Sequence, residues 1–130
     1  MNGPCHVIKT TAFTIEPGED AETNPGVFGR SLATYVAEQM RARGESVEGL
    51  IAEDFGWCVM LRRKPFMLWI ACSNRDGRTD EWIAFAVAEG GLINKLLGKV
   101  NPSHEVRRIS EMLGDIMQSA PGVESYTMEV

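Results

Sequence analysis

Two acidic pairs, Glu53-Asp54 and Asp80-Glu81, bracket the most apolar part of the chain. Two carboxylates held at a fixed separation can divide general-acid and general-base work or hold a metal ion. Nothing in the sequence brings the pairs within reach of each other, and acids at strand ends are ordinarily solvated, so no catalytic residue is assigned. The acids over residues 16–23 lack the ligand spacing and closing bidentate Glu of a calcium loop, which leaves a solvated loop as the expectation. A basic stretch offers different chemistry. His104 opens a helical pattern beside Lys95, Lys99, Arg107 and Arg108, and a helix N-terminus accepts anions, so these five residues are the candidate phosphate or carboxylate site. The structural alternative is a helix flank whose charges point in different directions. Arg62-Arg63-Lys64 is a second basic spot, read as a solubilising or steering hairpin tip.

Three cysteines, Cys5, Cys58 and Cys72, lie in apolar runs and are odd in number, which suits buried thiols in a reducing compartment. Cys58 and Cys72 face each other if the hairpin loop between them holds three residues, but a redox role would also need exposure and a lowered pKa. Cys5-His6 has no orienting third group that spacing reveals. The chain contains no Cys-x-x-Cys, no Gly-x-Ser-x-Gly elbow, no phosphate-cradling glycine loop and no His-Glu-x-x-His, so neither metal nor cofactor is expected.

These residues must be positioned by a small number of elements. With 130 residues, 44% of them hydrophobic, a single domain over 1–130 with one core is expected. Three apolar runs, Trp57 to Leu61, Phe66 to Cys72 and Trp82 to Val87, are separated by Arg63-Lys64-Pro65 and Asp76-Gly77, the pattern of an antiparallel meander. Before them come a strand over residues 5–16, a helix opened by Asn24-Pro25 and stopped at Gly44, and an irregular strand or lead-in over 47–52. After them come a short helix over 92–97, a long helix capped by Ser103 and ended at Pro121-Gly122, and a last strand over 123–130. The expected fold class is α+β: a two-layer sandwich in the order β-α-β-β-β-β-α-α-β, with a mainly antiparallel sheet and helices on one face.

Glu53-Asp-Phe-Gly-Trp57, the strand Phe66-Met-Leu-Trp-Ile-Ala-Cys72 and Asp80-Glu-Trp82 resemble a set of small bacterial or phage proteins that share a Glu-Asp-aromatic-Gly-Trp core. The resemblance covers the middle half of the chain and implies a bacterial or phage origin; it brings no activity and no functional residues.

Composition narrows the function classes. A net charge of -5 argues against non-specific attraction to nucleic acid or to an anionic membrane. No run of about 18 apolar residues occurs and the N-terminus lacks a signal-peptide pattern, so a cytoplasmic protein is expected. Both faces of the meander are apolar in either hairpin register, whereas a sheet with one wet face alternates apolar and polar. Two helices cover one face. The other, carrying Met60, Met67 and Trp69, is expected to bind a protein partner or a second copy of the chain, as in a non-catalytic module of the immunity or anti-defence type. The alternative is a small enzyme or ligand-binding protein with a pocket between helices and sheet, lined by Glu53, Asp54, Tyr35 and a tryptophan.

Overall fold

The computed structural model describes residues 1–90 and 101–130. The β-favouring runs form β1 (Cys5–Lys9), β2 (Gly49–Glu53), β3 (Gly56–Arg62), β4 (Met67–Asn74), β5 (Glu81–Glu89) and β6 (Ser125–Glu129). They make one antiparallel sheet in the order β2-β3-β4-β5-β1-β6. The helices α1 (Arg30–Ala42) and α2 (Pro102–Gln118) pack on one face. The architecture is the α+β sandwich the sequence predicts. The expected helix over 92–97 lies outside the described residues, as do Lys95 and Lys99.

The β3–β4 register decides what each face carries. Trp57 pairs with Cys72, Val59 with Ile70 and Met60 with Trp69, followed by an irregularity between Met60 and Arg62. Trp57, Val59, Leu61, Leu68, Ile70 and Cys72 therefore share the helix side and, with Trp82, Leu32, Val36, Met40, Ile109, Leu113 and Ile116, form the core. Cys58 pairs with Ala71, so it lies on the open face while Cys72 lies in the core. The suggested Cys58–Cys72 facing pair is not formed, and all three thiols are free.

Three boundaries differ from the sequence reading for local reasons. The first strand stops at Lys9 because the Thr10 hydroxyl donates to the Pro121 carbonyl at 2.7 Å and accepts from the Ala12 N–H at 3.1 Å, which turns the chain. Asn24-Pro25 opens a turn rather than α1: Gly26 and Gly29 adopt φ of 79° and 149°, and the Asn24 amide donates to the Asp54 carbonyl at 3.0 Å. The cap comes from the acidic loop. Glu19 is buried, and its Oε2 accepts from the N–H groups of Gly29 at 3.2 Å and Arg30 at 3.3 Å, so this acid is not solvated but neutralises the exposed donors of a helix terminus. At α2 the cap is Asn101, one proline ahead of Ser103; its Oδ1 accepts from the N–H groups of Ser103 and His104.

Gly29 and Gly56 share a reason for being glycine. A Cβ on Gly29 would lie 2.8 Å from the Cys72 carbonyl oxygen and one on Gly56 only 2.4 Å from the same atom. The start of α1 and the β2–β3 hairpin thus press on one peptide of β4. At the far end of α1, Gly44 closes the helix with paired bonds, Gly44 N–H to Arg41 and Glu45 N–H to Met40, the six-to-one and five-to-two pattern of a glycine C-cap.

Candidate functional site

Among the described residues, no helix lies over the open face of the sheet. Alternation along the strands places Ile51, Cys58, Met60, Met67, Trp69, Ala71, Ile83, Phe85 and Val87 there. Neighbouring side chains bury Cys58, Met60, Ala71 and Val87, but Ile51, Met67, Trp69, Ile83 and Phe85 stay half-exposed. Phe55, at the tip of the β2–β3 hairpin, is 41% exposed and leans on Trp69 with ring centroids 5.7 Å apart. Phe55 borders two depressions, and Trp69 the first of them. One, of about 290 Å³, is lined by Glu53, Cys58, Met60, Arg63, Met67 and Glu89; the other, of about 370 Å³, by Val27, Ser73, Asp76, Ile83 and Phe85.

Charge on this face is arranged at its margins. The Trp69 indole donates to Glu89 at 3.0 Å, and Arg63 donates to Glu48 at 2.6 Å. Burial, followed by the nearby Glu53, pushes the Cys58 thiol up to about 12, so Cys58 is an inert floor rather than a nucleophile. Towards β6, Arg75 forms a forked pair with Glu129 at 2.6 and 3.1 Å, spanning β5 and β1 and helping to cover that side of the sheet. Of the interface residues expected from sequence, Met67 and Trp69 line the open face with partial exposure, and Met60 lies on it but is buried.

Of the expected anion residues, the described ones, His104, Arg107 and Arg108, do not converge. Arg108 donates to both Glu45 and Glu105, and Arg62 donates to Glu105 as well. The two arginines hold the Glu105 carboxyl down at about 2, so Arg108 is occupied in joining α2 to the loop after α1. Arg107 lines a different groove, beside β6, and His104 is exposed. The acidic pairs stay apart too, with Asp80 held by Arg78 at 2.9 and 3.0 Å. Among the described residues no group of three or more His, Cys, Asp and Glu is placed to hold a metal ion. The pocket expected from Glu53, Asp54, Tyr35 and a tryptophan is not assembled. Tyr35 lines a groove on α1 with Phe13 and Glu38, whereas Glu53 lies across the sheet beside Trp69.

One arrangement escaped the sequence reading. His6 in β1 is buried; its Nδ1 lies 2.8 Å from Tyr126 Oη in β6 and its Nε2 2.9 Å from Ser110 Oγ in α2. A serine, a histidine and an orienting hydroxyl resemble the makings of nucleophilic catalysis. The surroundings oppose it. Burial lowers the His6 pKa and raises that of Tyr126, so an imidazolium would form without a carboxylate to stabilise it. Ser110 also sits in mid-helix, where backbone N–H groups are committed to the helical ladder and not free to hold an oxyanion. The trio acts as a polar tie joining three elements. The signal for it was alternation in β1, which sets His6 and Ile8 on the core side, where an imidazole needs partners.

Comparison with protein-family models, curated proteins and solved structures returns no match. Among the described residues no helix is long and apolar enough to cross a membrane.

Proposed function

We propose that the protein is a non-catalytic binding module whose open sheet face receives another protein, one that presents an apolar surface edged with basic side chains. The observation that supports this is the face that no described helix covers, with Phe55 exposed at the hairpin tip and leaning on the half-buried Trp69. Large apolar patches on monomers mark contact sites, and aromatic side chains supply much of the energy of such contacts. The basic edge follows from charge. Glu53 and Glu89 lie beside the aromatic pair, and the whole chain carries -5, which steers a cationic partner toward it. A partner that otherwise holds nucleic acid through the same basic groups would be neutralised by this contact.

The test is capture from host lysate on immobilised protein, comparing the wild type with Trp69→Glu and Phe55→Ser, each first checked for an unchanged melting temperature. The expected result is a basic protein retained by the wild type, released as salt is raised, and lost from both variants. Recovery of the same proteins by all three baits would defeat the reading.

A further inference from the structure

We propose that β6 is a self-pairing edge: two copies of the chain join antiparallel through it, about a two-fold axis at Thr127, and continue one sheet into the other. Backbone hydrogen-bond parity identifies the free groups. The Thr10 N–H donates to the Asp80 carbonyl, so even-numbered residues of β1 bond toward β5 and odd-numbered ones toward β6. In β6 the partners of those odd positions are Ser125, Thr127 and Glu129. Tyr126 and Met128 therefore direct their N–H and C=O groups outward, where they meet no partner among the described residues.

Edge strands ordinarily carry a lysine, a proline or a bulge that blocks further pairing. Ser-Tyr-Thr-Met-Glu has neither residue, and its register with β1 runs without a break. Met128 is 55% exposed beside a groove of about 650 Å³, which runs between β6 and α2 and is lined by His6, Val106, Gly114 and Tyr126.

The sequence of β6 complements its own reverse. Centred on Thr127, the pairing sets Tyr126 against Met128 of the second copy, each exchanging both main-chain bonds, with ring against thioether on the groove side. Thr127 meets Thr127, and Ser125 meets Glu129, so no like charges oppose. A register centred on Glu129 would set that carboxylate against itself. One centred on Ser125 would run Met128 against Gly122, whose φ of 66° lies outside extended backbone.

Disulfide trapping tests the register. Directly opposed residues in a non-hydrogen-bonded antiparallel pair have Cα atoms about 4.5 Å apart, within disulfide range. In a Cys5→Ser background, Thr127→Cys is expected to form covalent dimers on mild oxidation, while Ser125→Cys, which would face Glu129, does not. Mass measured across a concentration series should show a wild-type dimer that Trp69→Glu retains. Met128→Pro, which removes an outward N–H and leaves the β1 ladder intact, should abolish it. A monomer at every concentration, equal trapping at positions 125 and 127, or a dimer lost in Trp69→Glu would each overturn the proposal.

Discussion

At the scale of single residues, the largest consequences come from polar groups that the fold buries. His6 is kept below its ordinary value of 6.5 by burial, so the unfolded chain takes up a proton more readily than the folded one. The stability this group contributes is complete above pH 6.5 and declines as pH falls below it. Urea midpoints between pH 8 and pH 5 should therefore drop for the wild type and change less for His6→Gln. Glu105 behaves alike in a lower window. Its pKa is held at about 2 against an ordinary 4.5 by Arg108 and Arg62, so its share persists above 4.5 and is lost toward 2; Glu105→Gln should remove that part of the acid transition. Tyr126→Phe leaves His6 Nδ1 without the hydroxyl and should cost about 1–3 kcal/mol in chemical denaturation. The His6 tie was beyond sequence reasoning because its partners stand 104 and 120 positions away; only the inward side of β1 was legible.

At the scale of elements, what repeats along the chain was readable and what depends on a distant group was not. The meander announced itself through β-branched and aromatic runs, and α2 through Val106, Ile109, Leu113 and Ile116 at helical spacing. The start of α1 was misplaced because Asn-Pro is equally at home in a turn, and its actual cap is a carboxylate from a loop 11 positions earlier. Glu19→Ala should accordingly destabilise the protein by about 1–2 kcal/mol, as loss of a helix cap does, and a denaturation curve would show it. Gly56→Ala should be worse, at least about 2 kcal/mol, because the φ of 143° is strained for any other residue and the new methyl would collide with the Cys72 carbonyl. Which face Cys58 occupied was legible only as two options, since one residue of loop length exchanges the faces.

At the scale of the whole molecule, one face of the sheet carries apolar side chains that neither described helix covers, and the sequence already reads as apolar on both faces of the meander in either register. The structure refines the location of the uncovered patch: Met60 is enclosed by its neighbours, and the accessible aromatic surface is Phe55 at the hairpin tip with the half-buried Trp69 beside it. Phe55 was missed because a hairpin tip has no periodicity to betray it. If the β6 edges join, the two open faces lie on the same side of a common sheet. A partner with two matching sites would then bind far more tightly to the pair than to one copy, so Thr127→Cys dimers locked by oxidation should release such a partner more slowly than Met128→Pro.

The peptide of Cys72, against whose carbonyl both Gly29 and Gly56 are packed, gives the hairpin tip a mechanical link to the start of α1. Asn24 reinforces it by gripping the Asp54 carbonyl. A visitor that seizes Phe55 from below would brace the opposite layer, slowing deuterium uptake at the first amides of α1 without ever coming near them.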